Sequence, residues 1–211
     1  MCNLALMNIV REGLQANSIN RYLSMIKTFF NDAIKRKIIK DNPANDIIIP
    51  EYKEDDRINA LNKSELDHLL SSLKNEKYKL ISIIATTCGL RIGEIMGLTW
   101  DSINFKDSTL KIDKQWKRLS MSKYGYGTVK QKNSNRIVPI PPGTLKELEI
   151  YKVLVPVNTT RRIFYQNENI SSLGKVLSTA YQKAGYNVTI HDLRHTYATL
   201  LIGTLKPPLN S

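Results

Sequence analysis

His191, Arg194 and His195 stand at i, i+3 and i+4 in the run His191-Asp192-Leu193-Arg194-His195-Thr196-Tyr197-Ala198-Thr199-Leu200-Leu201. Wound as an α-helix, this run puts all three on one face and sets Leu193, Tyr197, Leu200 and Leu201 as an apolar stripe on another. A guanidinium between two imidazoles is costly in a core and well placed beside an anion. Two plainer readings compete. A polar face above an apolar stripe also describes an ordinary solvated helix. His-Asp-x-x-His is similar to the zinc-binding pattern His-Glu-x-x-His. Against metal, the second position is Asp, Arg194 would set a positive charge beside a dication, and only His68 remains as a further histidine. Anion recognition needs more cations, and the chain supplies them.

The first lies a hundred residues upstream, in Thr87-Cys88-Gly89-Leu90-Arg91-Ile92-Gly93-Glu94-Ile95. Gly89 breaks one helix and Arg91 opens the next turn, with Glu94 three residues on. The plain reading is an i,i+3 ion pair at a helix start. The chemical one is a guanidinium fork held by Glu94 and aimed at a phosphate. Between Lys111 and Arg136 lie Lys114, Lys117, Arg118, Lys123, Lys130 and Lys132 against the single acid Asp113. Trp116, Tyr124 and Tyr126 interleave them, a composition suited to a nucleic-acid backbone. An edge sheet blunted with lysine is the plainer alternative. Over the whole chain, 31 Lys and Arg face 19 Asp and Glu, a net charge of +12. That surplus is the footprint of a nucleic-acid binder. No apolar run is long enough for a membrane span. Cys2 and Cys88 have no paired spacing, so free thiols in a reducing cytosol are expected.

These side chains need elements to hold them. Ile19, Tyr22, Leu23, Ile26, Phe30, Ala33 and Ile34 recur at helical steps and predict a helix over Asn17–Lys40, capped by Asn17 or Ser18, with Lys27 on its outer basic face. A partial helix is expected over Met1–Leu14. Pro50 and the charges after it mark a linker over 51–60. Asn62-Lys63-Ser64-Glu65 is a capping-box start for a helix to about Leu73. Tyr78–Thr87 reads as a largely apolar central helix. Alternation at Ile103/Phe105 and Leu110/Ile112 around Lys106-Asp107-Ser108 predicts a hairpin. A loop is expected over Ser120–Gly127 and a third strand over Thr128–Ile140. Short helices come next, over Thr144–Lys152 and from a Ser171 or Ser172 cap to Ala184, before Gly185. The fold class is mostly α with a small antiparallel β-sheet (α+β).

In this order the pieces resemble the tyrosine recombinases, or phage integrase family, over nearly the whole chain. Gly89-Leu90-Arg91-Ile92-Gly93-Glu94 is similar to the family's first arginine box, and Leu98-Thr99-Trp100-Asp101 through Phe105 is similar to the segment downstream of that box. Lys130-Gln131-Lys132-Asn133-Ser134-Asn135-Arg136-Ile137-Val138-Pro139 resembles the hairpin carrying the catalytic lysine. His191-Asp192-Leu193-Arg194-His195 resembles the second box. The resemblance implies a partial helical core-binding (SAM-like) domain over 1–50 and a catalytic domain over 61–211. It implies double-stranded DNA as the partner, cleaved and rejoined through a 3′-phosphotyrosine for site-specific recombination, with no metal or other cofactor. A homo-oligomer on DNA, a tetramer in the intact family, and a place in the bacterial or phage cytoplasm at the nucleoid go with it. Arg91 and Arg194 would clamp the phosphate, with His191 as a donor and Lys130 or Lys132 as general acid. Glu94 and His195 would support them. Lys27, Lys114, Lys117, Arg118, Lys123 and Arg136 would track the DNA backbone.

The resemblance breaks after Leu201. The family continues into a Leu-Gly-His box and a helix bearing the nucleophilic tyrosine, whereas this sequence runs Ile202-Gly203-Thr204-Leu205-Lys206-Pro207-Pro208-Leu209-Asn210-Ser211. Tyr197, on the apolar stripe, reads as core. The expectation is a catalytic domain incomplete at its C-terminus, unable to cleave DNA alone. The alternative function is a non-catalytic DNA-binding competitor or regulator derived from an integrase.

Overall fold

The structure is a computed structural model that describes residues 16–47, 59–121, 123–128, 135–156, 158–165 and 169–205. The chain divides into two compact units, Met1–Arg57 and Ile58–Ser211. The expected helix over Met1–Leu14, and all but the end of the expected linker, lie outside the described residues, as do Lys130 and Lys132.

In the first unit, α1 spans Ala16–Lys35. It is already under way at Ala16, so neither Asn17 nor Ser18 stands ahead of it as a cap. It buries Ile19 and Leu23 against Ala44, with Ile26, Phe30 and Ile47 packed around them. The helix stops five residues earlier than its apolar pattern predicts. Lys37 adopts a left-handed φ of 59°, the Ile38 amide donates to the Ala33 carbonyl at 2.9 Å and the Lys37 amide to Ile34 at 2.8 Å. This is a Schellman close, made here without the usual glycine. Asn42 then ties the next turn back, its amide nitrogen donating to the Lys27 carbonyl and to Asn31 Oδ1.

The second unit starts from the Asn62 capping box. The Glu65 amide donates to Asn62 Oδ1 and the Asn62 amide to Glu65 Oε2, opening α2, Lys63–Ser72. Asn75 caps α3, Glu76–Cys88, whose Leu80, Ile81, Ile83, Ile84, Ala85 and Cys88 are all buried. A helix buried on nearly every side, its Ser82 and Thr86 included, belongs in the middle of a core, and α3 lies against α7 (Ile190–Leu205), α5 (Pro142–Leu154) and α4 (Ile92–Gly97). After a 3-10 turn at Trp100–Ser102 come β1, Ile103–Asn104, and β2, Thr109–Ile112, in the expected hairpin.

Past β2 the architecture differs from the sequence expectation. β3, Lys114–Arg118, pairs with β4, Tyr124–Thr128, in a two-stranded sheet of its own, with Trp116 opposite Tyr126. The second half of the expected loop, Tyr124 to Gly127, is therefore strand. Alternating Tyr and Gly sets both tyrosines on one side of β4, while the glycine side gives room to the chains of β3: a Cβ on Gly127 would strike Lys117. β5, Arg136–Pro139, joins the other sheet, with Ile112 opposite Arg136, giving the order β1-β2-β5. α6 spans Ile170–Lys183 and is capped by Asn169, not by Ser171 or Ser172; Asn169 Oδ1 accepts their two amides. Gly185, at φ 93°, closes it as expected.

Candidate phosphate-binding site

Two close approaches set the geometry. Gly89 ends α3 at φ 63°, and the Tyr197 ring packs so near that a Cβ there would lie 2.5 Å from Cδ1. Only glycine satisfies both conditions. This contact docks α7 on the turn that leads into Arg91. Gly97 lets α4 lie on β3, since a Cβ there would sit 2.9 Å from the Gln115 Cα. Arg91 occupies the N-cap of α4, and its amide donates to Glu94 Oε2 at 2.9 Å. Glu94 thereby closes the first turn and is almost wholly buried, at 3% exposure.

Around that carboxylate three guanidiniums converge. Arg91 Nη1 lies 3.2 Å from Oε1. Arg136, from the first position of β5, binds in bidentate fashion, Nη2 to Oε2 at 2.9 Å and Nη1 to Oε1 at 3.2 Å. Arg194, from α7, holds Nη1 at 3.9 Å from Oε2. That nitrogen is buried and makes no hydrogen bond. The α7 start is fixed by its own box: the Thr189 amide donates to Asp192 Oδ2 and the Asp192 amide to Thr189 Oγ1. Asp192 is thus a capping residue. His191 and His195 lie edge to face, ring centres 4.6 Å apart, on the side carrying Arg194. Among the described residues no three His, Cys, Asp or Glu side chains group as a metal ligand set.

The electrostatics are those of a cationic pocket short of an anion. Burial alone would raise the Glu94 pKa, but the hydrogen bond from Arg136, the bond from the Arg91 amide and the two positive charges outweigh it and hold the carboxyl below its ordinary range. Burial lowers the Arg194 pKa, and the positive charges of Arg91 and Arg136 add to that against the opposing pull of Glu94. His191 is lowered by burial first, then by His195, Arg194 and Arg91. Each shift records positive charge crowded into a partly dry space, which a bound anion relieves.

The phage integrase family model matches residues 59–205, and a phage integrase SAM-like domain model matches residues 6–52. The chain belongs to the phage integrase family. Among its curated relatives is a tyrosine recombinase XerC-like protein of Caldanaerobacter subterraneus, 27% identical over 92% of this chain and 57% of the relative. The transposase of transposon Tn916 from Enterococcus faecalis is 28% identical over 89% of this chain and 52% of the relative. The chain therefore spans little more than half the length of these proteins. In fold it is similar to the Tn1549 transposon integrase in complex with circular intermediate DNA, with a TM-score of 0.75, 19% identity, and coverage of 98% of this chain and 73% of that one. It is likewise similar to lambda integrase bound to DNA, with a TM-score of 0.67, 17% identity, and coverage of 95% and 70%.

Within this integrase fold the remaining basic residues separate by what they touch. Lys114 is half-buried, its Nζ donating to Thr99 Oγ1 at 3.1 Å and lying over the Tyr126 ring. Arg118 turns back on its own loop, donating to the Ser120 and Met121 carbonyls. Lys117 lies alongside Gly127, and Lys123 is exposed at the hairpin end. Lys27, in the first unit, donates to the Asn45 carbonyl at 3.3 Å. Arg136 is placed on Glu94, beside Arg91 and Arg194 and not with the hairpin lysines. Two further side chains escaped the sequence. Arg162, 2% exposed, stacks its guanidinium 3.5 Å from the Trp116 ring centre and donates to the Met96 carbonyl, bracing α4 on β3. Thr196, fully buried, accepts the Leu61 amide and so ties the start of the unit to α7. Arg162 sits in no motif, and Thr196 stands i+3 from Leu193 on the buried side of its helix, a place its polar type conceals.

Proposed function

We propose that this chain binds duplex DNA and seats one backbone phosphate between Arg91 and Arg194, for strand cleavage and rejoining in site-specific recombination or integration. The observation that carries this is the meeting of Arg91, Arg136 and Arg194 around buried Glu94, with Arg194 holding a buried donor that nothing fills. In a phosphoryl transfer that passes through a five-coordinate phosphorus, the two guanidiniums would stabilise the charge growing on the equatorial oxygens. His191, on the same helix face as Arg194, would offer a ring N–H to the same oxygens. A lysine of the 130–132 run would protonate the departing 5′ oxygen. Relatives of the chain include a transposase and recombinases, and solved integrases of this fold carry DNA, which supports the substrate class.

The test is retention of a nicked suicide duplex by the purified chain. Retention that weakens on Arg91→Ala and Arg194→Ala is expected, by about 1.5–3 kcal/mol for each lost hydrogen bond to a charged group. A chain that holds no duplex at low salt would end the proposal. A covalent adduct formed by this chain alone would overturn the expectation of inactivity drawn from its sequence. If both arginine variants bind normally while Lys117 and Lys123 variants do not, the DNA-binding regulator is the better reading.

A further inference from the structure

A carboxylate offers about four lone-pair sites, and on Glu94 four donors already occupy them. Oε2 takes Arg136 Nη2 at 2.9 Å and the Arg91 amide at 2.9 Å; Oε1 takes Arg136 Nη1 and Arg91 Nη1, both at 3.2 Å. Arg194 Nη1 is left 3.9 Å from Oε2, buried and without a hydrogen bond. We propose that Arg136 is a positioning residue: by filling both oxygens of Glu94, it keeps that carboxylate from capturing Arg194 and leaves the Arg194 guanidinium open to a phosphate oxygen. The inference rests on the reading of Arg91 and Arg194 as the phosphate clamp and assigns Arg136 a part in it distinct from contact with DNA.

The physical cause is competition. A bidentate guanidinium–carboxylate pair is short, strong and directional. Without Arg136, two lone-pair sites on a buried anion fall vacant within a small swing of Arg194, and that side chain closes on them. Charge tells the same story. Three guanidiniums around one carboxylate leave a surplus of two positive charges to meet a phosphate. Arg136→Ala cuts the surplus to one and frees the competitor. Arg136→Ala combined with Glu94→Gln returns the surplus to two and removes the competitor altogether.

The experiment titrates the purified chain with orthovanadate, a tetrahedral phosphate analogue, and separately with a short mixed-sequence duplex, alongside thermal melts. Arg136→Ala is expected to weaken vanadate binding roughly ten-fold, the scale of one lost hydrogen bond between charged groups. The double variant should recover most of that loss, and Arg136→Lys, which fills one site with a single ammonium, should fall between. A double variant no tighter than Arg136→Ala overturns the inference, and so does a Glu94→Gln single variant that gains as much over the native chain as the double variant gains over Arg136→Ala, because the recovery is then only the removed negative charge and not a removed competitor. If Arg136→Ala does not fold, Arg136→Lys with and without Glu94→Gln carries the same comparison. Arg91→Ala and Arg194→Ala are run beside them. If those two leave vanadate binding unchanged, the clamp itself is wrong; if they abolish it and the double variant shows no recovery, only the role of Arg136 falls.

Discussion

At the scale of single residues, the site is a set of pKa values pushed in the directions a phosphate would reverse. His191 titrates below its ordinary 6.5. On acidification the unfolded chain therefore takes up this proton first, and stability falls as pH drops through 6.5 toward the folded value. Glu94 titrates below its ordinary 4.5. Its contribution is complete above that pH and is lost as pH falls through the lower folded value. Melting midpoints across this range should show the His191 loss before the Glu94 loss. Arg194→Ala should move the His191 ring titration, monitored by NMR, back upward, and vanadate should do the same in the native chain. A His191 midpoint indifferent to both would mean that ring and guanidinium do not share an electrostatic environment. The sequence pattern already paired Arg91 with Glu94 and placed His191 beside Arg194, because spacing along a helix fixes which side chains share a face. It did not reveal that Arg136 meets them, since that contact depends on where β5 begins relative to α4. Among the hairpin bases, Lys123→Ala is predicted to lower duplex affinity. Lys114→Ala should instead lower the melting midpoint, because Lys114 is bound to Thr99 and Tyr126.

At the scale of elements, two glycines decide whether the arginines can meet at all. Gly97→Ala places a methyl 2.9 Å from the Gln115 Cα and 3.0 Å from the Trp116 nitrogen, both backbone atoms that cannot rotate aside. Overpacking of this kind costs about 1–3 kcal/mol, and the strain falls on the α4–β3 contact that seats Glu94. Gly89→Ala adds a left-handed backbone penalty of about 1–2 kcal/mol to a clash with the Tyr197 ring. Both variants should unfold at lower denaturant, and Gly97→Ala should also weaken vanadate binding. The helices were legible because apolar period and caps agree, as at Asn62 and Glu65. The β3–β4 hairpin was not. Tyr124-Gly125-Tyr126-Gly127 carries the glycines of a loop, and only the folded hairpin shows that Gly127 makes room for Lys117 of β3 and Gly125 for Leu119 just beyond it. The early close of α1 was hidden for a similar reason: a Schellman turn normally announces itself with glycine, and here Lys37 takes that position.

At the scale of the whole molecule, a net charge of +12 and a half-buried arginine cluster should respond differently to salt. Exposed lysines bind DNA by releasing counterions, so log affinity for duplex falls linearly with log salt, by about 0.9 for each phosphate neutralised. Lys123→Ala should flatten that slope by about one phosphate, whatever the sequence of the duplex. Arg91 and Arg194 act on one anion beside Glu94, 3% exposed; the Arg194 side chain is 26% exposed and the Arg91 side chain 58%. Screening by mobile ions reaches Arg194 and Glu94 less than it reaches the open lysines. Raising salt should therefore release the duplex well before it releases vanadate, read by parallel titrations at low and high ionic strength. Were the two to decay together, the arginines would be one more part of the basic surface, and the case for a separate phosphate seat would be lost. If they diverge, the charge of the chain brings DNA to the protein, while three converging guanidiniums and one carboxylate determine which phosphate is held.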